Sequence, residues 1–135
     1  MDKINWDLSF SVGVTILDEQ HKQIINMINL LLANSKTDVH SEVVSDLLNK
    51  MMEYANNHFD TEELLLEKYA YPGLSAQKHD HEVYCLKVVD LCKNTMKCNT
   101  SVPEELLQYL TKWWINHILN SDMKYKFFLL EQGVT

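Results

Sequence analysis

Apolar residues recur at three- and four-residue intervals along four long segments, a spacing typical of amphipathic α-helices. The chain has only three Gly and two Pro, so few breakers separate these segments. After an extended arm over residues 1–17, the pattern predicts helices over about residues 18–35, 39–70, 74–97 and 102–131. Asp18 is the predicted N-cap of the first helix, Tyr71-Pro72-Gly73 ends the second, and Gly133 stops the last.

Short connections between long amphipathic helices favour antiparallel neighbours. The pattern therefore predicts an all-α fold, an antiparallel up-down-up-down four-helix bundle with an extended N-terminal arm. At 135 residues and 46% hydrophobic composition, the chain is long enough for one sizeable core and too short for two domains of ordinary size. We expect a single domain over residues 1–135.

Each apolar stripe is interrupted by side chains that can bind a metal ion. These are His21 in the first helix, His58 and Glu62 in the second, Gln77 and His81 in the third, and His117 and Asp122 in the last. In an alternating bundle, all of these positions fall toward the same end. Burying such groups without partners costs several kcal/mol as a rough figure, and a pair of metal ions would satisfy them together.

The spacing within each helix fits a shared centre. His58 and Glu62 differ by four residues, about 40° around a helix, so both can face one point. Gln77 and His81 repeat this geometry. His117 and Asp122 are five residues apart, about 140° in an ideal helix, so they either reach different sides of a cluster or involve a local bulge.

The donor types restrict the metal. Imidazole nitrogen with carboxylate oxygen suits iron, manganese or zinc, and Cys85, Cys92 and Cys98 lack the CxxC spacing of a sulfur site. Four histidines with two carboxylates are better explained by two ions than by one, with Glu62 and Asp122 shared. A ferritin-like site would need two Glu-x-x-His pairs, which do not occur at these positions, so the His-rich alternative is preferred.

Charge and the N-terminal sequence argue against several partners. The formal net charge is −7 and no run of Lys or Arg occurs, which disfavours nucleic acid and anionic lipid. The first residues show neither a signal peptide nor a transmembrane span. We therefore expect a cytoplasmic protein without a nucleic-acid or membrane partner. The sequence gives no prediction of an oligomeric state.

Four motifs span nearly the whole chain in a characteristic order. They are Ser11-Val12-Gly13-Val14 through Asp18-Glu19-Gln20-His21-Lys22, His58-Phe59-Asp60-Thr61-Glu62-Glu63, Tyr71-Pro72-Gly73-Leu74, and Trp114-Ile115-Asn116-His117-Ile118 to Asp122. On these motifs the sequence resembles the bacterial hemerythrins, His-rich di-iron four-helix bundles that bind oxygen. The resemblance implies one hemerythrin-like domain over the whole chain.

The resemblance also implies a ligand set and a function. His21 and His58 would hold one iron, His81 and His117 the other, and Glu62 and Asp122 would bridge the two iron ions beside an oxo or hydroxo group. The implied function is reversible dioxygen binding for storage, delivery or sensing, by a binding protein and not an enzyme. Trp114 lies three residues before His117 and is a candidate wall of the oxygen pocket.

One position departs from the family pattern. Where the family has His-x-x-x-His in the third helix, this chain reads Gln77-Lys78-His79-Asp80-His81. His79 lies about 200° from His81 around the helix and is expected to be solvent-exposed. Three outcomes follow for Gln77: it ligates weakly through its carbonyl oxygen, it holds a ligating water, or it leaves the second site with lower affinity. We expect two ions to bind, with the second more labile and more accessible.

This departure leaves two other functions open. An altered second site favours a redox-active di-iron protein that handles peroxide, nitric oxide or iron stress. A bundle that has lost its metal would instead be an interaction module.

Overall fold

The computed structural model describes residues 3–33, 42–98 and 104–135. Helices account for most of these residues, and no strand occurs among them. A short 3₁₀ turn at Leu8–Phe10 lies in the arm. The helices are α1 (Thr15–Ala33), α2 (Glu42–Lys68), α3 (Leu74–Cys98), α4 (Glu104–Asn116) and α5 (Met123–Glu131), with a π-helical segment at His117–Asp122 joining the last two.

The helices form a closed ring of neighbours. Helix α1 packs against α2, α2 against α3, α3 against α4, and α4 against α1. Helix α4, the π-helical segment and α5 follow one another along the chain and together form the fourth helical rod of the bundle. This arrangement confirms the predicted all-α four-helix bundle. Among the described residues, no helix combines the length and apolar character needed to cross a bilayer.

The N-terminal arm explains why the predicted start of α1 is wrong. The helix begins at Thr15, three residues before the predicted N-cap Asp18, which lies in its first turn. The Asp18 carboxylate accepts hydrogen bonds from the Val12 backbone N–H at 2.8 Å and from Ser11 Oγ at 2.6 Å. Asp18 therefore fastens the arm to the bundle instead of capping the helix.

The C-terminal ends of α2 and α5 lie at the predicted turn residues. Helix α2 ends at Lys68, and Ala70 takes a left-handed conformation with φ of 54° just before Tyr71. Helix α5 ends at Glu131, and Gly133 has a φ of 76°, so the predicted stop is confirmed. The predicted boundaries at residues 35, 39 and 102 lie outside the described residues.

The core consists of two apolar clusters. The larger apolar cluster includes Ile24, Ile28, Phe59, Tyr84, Trp114 and Ile118. The smaller apolar cluster consists of Val12, Val14, Leu17, Leu66, Tyr125 and Leu129. Along α1, His21 lies between Leu17 of the smaller cluster and Ile24 of the larger. Buried polar residues therefore form a layer between two apolar regions.

Packing of the larger cluster should set most of the stability. Ile28→Ala removes a side chain that is 1% exposed and should lower the free energy of unfolding by about 2–5 kcal/mol. Ile16→Ala makes the same chemical change on α1 at a side chain that is 55% exposed, and should change it by no more than about 0.5 kcal/mol. Urea denaturation measures both, and equal losses would contradict the assignment of the core.

Candidate metal centre

Six of the predicted site residues converge in the polar layer between the clusters. Each is exposed to no more than 3% of its surface. The four helical rods contribute them as follows: His21 from α1, His58 and Glu62 from α2, His81 from α3, and His117 and Asp122 from the two ends of the π-helical segment.

The first group of ligand atoms joins α1, α2 and the π-helical segment. Nε2 of His21 lies 3.0 Å from Nε2 of His58 and 3.1 Å from Oδ2 of Asp122. Nε2 of His58 lies 3.1 Å from Oε2 of Glu62. Each of these four residues offers one ligand atom within 4.8 Å of the others, a grouping that can hold a metal ion.

The second group joins α2, α3 and the π-helical segment. Nε2 of His81 lies 3.1 Å from Oε1 of Glu62 and 3.2 Å from Nε2 of His117. Nε2 of His117 in turn lies 2.9 Å from Oδ1 of Asp122. Both carboxylates thus turn one oxygen toward each histidine pair.

Several atoms of this layer lack hydrogen-bond partners. Both oxygens of Asp122 are buried without a hydrogen bond, although ring nitrogens lie 3.1 Å and 2.9 Å away. These short contacts do not have hydrogen-bond geometry, so both oxygens remain unsatisfied. Buried polar groups in this state usually mark a ligand or a metal. The donor set therefore fits a pair of cations held by nitrogen and oxygen.

The π-helical segment accounts for the five-residue spacing of its two candidate ligands. Hydrogen bonding from residue i to i+5 widens the turn, so residues five apart come to the same side. His117 and Asp122 are the first and last residues of this segment, and both are buried. The local bulge that the sequence allowed is confirmed.

Two hydrogen bonds orient histidine rings from outside the cluster. Nδ1 of His58 lies 2.7 Å from Oε1 of Gln20, and Nδ1 of His81 lies 2.8 Å from Oε2 of Glu63. An oxygen of this kind accepts, so Nδ1 carries the proton and Nε2 keeps a free lone pair for a metal. The sequence analysis missed Gln20 and Glu63. The one sequence signal for them is that each is adjacent in the chain to a predicted ligand, His21 and Glu62 respectively.

Tyr125 is a further residue that the sequence analysis missed. Its hydroxyl donates a hydrogen bond to Oε2 of Glu62 at 3.2 Å, and its side chain is fully buried. Burial and the negative charges of Asp122 and Glu62 raise the pKa of Tyr125 well above its usual value, so the hydroxyl stays protonated. Tyr125 lies one helical turn after Asp122, a spacing that could have identified it.

Aromatic rings stack on two histidines of the second group. The Phe59 ring lies 4.0 Å from His81 at an interplanar angle of 11°. The Trp113 ring lies 4.4 Å from His117 at 14°. Each aromatic ring restricts the rotation of the imidazole on which it stacks.

Trp114 lies near one histidine of each pair. Its ring centroid is 5.9 Å from His58 and 6.2 Å from His117, and its side chain is fully buried. Its indole N–H donates a hydrogen bond to the Tyr84 hydroxyl at 3.0 Å. This bond fixes the indole beside the cluster.

The third helix places Gln77 and His79 on different faces. Gln77 is 4% exposed, and its Nε2 donates to the backbone oxygen of Ser121 at 3.0 Å. His79 is exposed on a continuous α3. The prediction that His79 faces solvent is confirmed.

The two acids raise the pKa of two histidines in this layer. Burial alone would lower the pKa of His21, but polar contacts with Asp122 and Glu62 raise it to about 9. The same acids outweigh burial at His117 and raise its pKa to about 10. Burial alone would raise the pKa of Glu62, whereas the four histidines lower it well below its usual range. Two metal cations could compensate the negative charge of the Glu62 and Asp122 carboxylates in place of protons on the histidines.

Removing the Tyr125 hydroxyl should weaken metal binding without unfolding the bundle. Tyr125→Phe keeps the packed ring and removes only the hydrogen bond to Glu62. Loss of such an outer partner typically lowers metal affinity by about 10- to 100-fold. Competition with a chelator measures this change. Tyr69→Phe is the matched control, because Tyr69 packs against the same smaller apolar cluster, whereas the hydrogen bond to Glu62 comes from Tyr125. Equal affinities for the two variants would contradict the role of Tyr125.

Comparisons with known proteins agree with this geometry. Residues 12–128 match the sequence profile of the Hemerythrin HHE cation binding domain. The chain is 30% identical over 120 residues to a bacteriohemerythrin of Stenotrophomonas maltophilia, covering 89% of this chain and 77% of that one. It is 32% identical over 122 residues to a hemerythrin-like protein of Naegleria gruberi, covering 90% of each.

A solved structure has the same fold. A crystal structure of wild-type hemerythrin superposes with a TM-score of 0.84 at 26% identity, covering 93% of this chain and 96% of that one. The profile match extends over most of the chain and includes all six clustered residues. The chain therefore belongs to the hemerythrin family of HHE cation-binding domains.

Proposed function

We propose that the clustered side chains hold two iron ions. One observation carries this proposal: each carboxylate directs one oxygen to each histidine pair. A carboxylate whose oxygens serve two nitrogen-donor sites is suited to bridge two ions. The proposed ligands are His21 and His58 for the first ion, His81 and His117 for the second, and Glu62 and Asp122 for both.

The donor set supports iron. Imidazole nitrogen and carboxylate oxygen together suit iron, and no thiolate among the described residues joins either ligand group. The family description names a cation-binding domain, and the relatives are named as hemerythrins. Two shared acids and neutral imidazoles would also balance much of the charge of a ferrous pair.

We infer that the iron pair binds dioxygen reversibly and that the chain acts as a binding protein in oxygen storage, delivery or sensing. Two ferrous ions would supply the electrons for binding, and this chemistry belongs to the metal. The protein contributes apolar side chains that surround the proposed iron site. Phe59, Trp113 and Trp114 lie against the histidines and limit the access of water.

The surroundings favour release of dioxygen over its reduction. Excluding outside water from the iron pair would favour release of dioxygen over its reduction, so the packing beside the cluster should set the lifetime of the ferrous state. Trp114 is the proposed wall of this pocket. Its hydrogen bond to Tyr84 keeps the large indole from turning aside.

A redox function is the second candidate, and one residue favours it. Gln77 stands where the family pattern has a histidine, so the second iron would have two imidazoles instead of three. An iron with fewer imidazole ligands would be more open to peroxide or nitric oxide. Rapid irreversible oxidation of the ferrous protein would support this alternative.

Oxygen cycling tests the proposed function. Protein loaded with ferrous iron under argon should gain charge-transfer absorption in air and lose it again when flushed with argon, over repeated cycles. Azide added after oxidation should produce a further change in the spectrum. The matched control is a Glu62→Gln variant loaded in the same way, which should not form the pair.

Two results would contradict the proposal. One is an iron content well below two ions per chain with no change in the spectrum in air. The other is complete oxidation in the first exposure with turnover of added peroxide, which would favour the redox alternative.

The role of Trp114 gives a separate prediction. Trp114→Phe replaces the indole with a smaller ring and removes the hydrogen bond to the Tyr84 hydroxyl. Water should then reach the metal centre more easily, and the ferrous protein should oxidise several times faster. Trp6→Phe is the matched control, because Trp6 lies in the N-terminal arm. The decay of the oxygenated spectrum measures both, and indistinguishable decay rates would rule out a wall at Trp114.

A further inference from the structure

The Gln77 side-chain amide has only one chemically sensible orientation. Its nitrogen lies 3.0 Å from the backbone carbonyl oxygen of Ser121. A carbonyl oxygen accepts hydrogen bonds and cannot donate, so the NH₂ end of the amide must face Ser121. The carbonyl end of Gln77 must therefore point elsewhere.

That carbonyl oxygen is buried without a partner. Oε1 of Gln77 has no hydrogen bond to any described residue, and the side chain is 4% exposed. Among the residues that the structure describes, both carboxylate oxygens of Asp122, a proposed shared ligand, are buried in the same state. The remaining atoms in this state are Nδ1 of His21 and of His117, whereas these histidines contact the cluster through Nε2. Oε1 of Gln77 thus shares with the Asp122 carboxylate the property of a buried oxygen without a hydrogen bond.

Its position puts Gln77 beside the second histidine pair. Gln77 lies one helical turn before His81 on α3, about 40° around the axis, and both side chains are buried. Its hydrogen-bond partner Ser121 immediately precedes Asp122 in the π-helical segment. The amide therefore spans the space between α3 and the segment that carries a shared carboxylate.

We propose that Gln77 binds the second metal ion through Oε1 while its Nε2 holds the π-helical segment at Ser121. This inference rests on the proposed function, because it requires an ion at His81 and His117. It adds a neutral oxygen to the second site, where the first site has only imidazoles and carboxylates. The two ions would then have different surroundings in one cluster.

The α3 helix holds the π-helical segment at a second point. Ser121 Oγ donates a hydrogen bond to Oδ2 of Asp80 at 3.2 Å. Loss of the Gln77 amide therefore leaves the hydrogen bond between Ser121 and Asp80 in place. A substitution at Gln77 can remove the ligand without releasing the segment.

An amide oxygen is a weaker donor than an imidazole, so the second ion should leave first. Iron release to a ferrous chelator under argon should show two phases of equal amplitude in the unchanged protein. Gln77→Leu removes the oxygen at similar volume and should accelerate the faster phase by about 10-fold or more, leaving the slower phase unchanged, since loss of even an outer partner of a ligand typically lowers metal affinity by about 10-fold. Gln77→Glu keeps an oxygen at the same length and should not accelerate it.

Thermal unfolding without metal separates ligation from folding. Each variant should unfold within a few degrees of the unchanged protein, because the Asp80 contact remains. His79→Ala is the matched control on α3, since His79 is exposed on another face. It should leave both release phases unchanged.

Two outcomes would overturn this inference. Identical release from Gln77→Leu and the unchanged protein would exclude Gln77 as a ligand. Equally fast release from Gln77→Glu and Gln77→Leu would assign the effect to the lost N–H bond instead of the oxygen. Either result would leave the proposed function standing if the unchanged protein holds two irons and cycles with oxygen. An unchanged protein that holds fewer than two irons would contradict both the proposed function and the ligation by Gln77.

Discussion

Two buried carboxylates, Glu62 and Asp122, carry the interaction on which the rest of this molecule depends. Neither acid is exposed, and each contacts histidines of both pairs. An uncompensated buried charge costs several kcal/mol, as a rough figure, so the surrounding histidines must hold either protons or metal ions. Since those histidines come from all four helical rods, the same constraint joins every element of the bundle.

The fold provides a rigid frame for this polar layer. An apolar cluster lies on either side of it, and the π-helical segment turns Asp122 to the side of His117. Outer partners such as Glu63 and Tyr125 then fix individual donor atoms. These outer hydrogen bonds restrict the orientation of the proposed ligands, which would lower the cost of ordering them around metal ions.

The bundle and its buried polar layer could be predicted because both depend on helical periodicity. The four-residue spacing of His58 and Glu62 is enough to align them, and alternating helices bring distant segments to one level. Other features depend on side-chain geometry that periodicity does not contain. The start of α1 was predicted too late because Asp18 bonds the arm. The contact between Gln20 and His58 depends on rotamers, and so has no spacing signature.

The sharing of two carboxylates between two ions is the central claim. Ligands shared in this way couple the electron spins of the ions, whereas separate sites leave the spins independent. Electron paramagnetic resonance of the fully oxidised, iron-loaded protein tests this most directly. We expect a protein with two ferric ions per chain and almost no resonance signal. A strong signal from isolated high-spin ferric ions, accounting for most of the bound iron, would contradict the account.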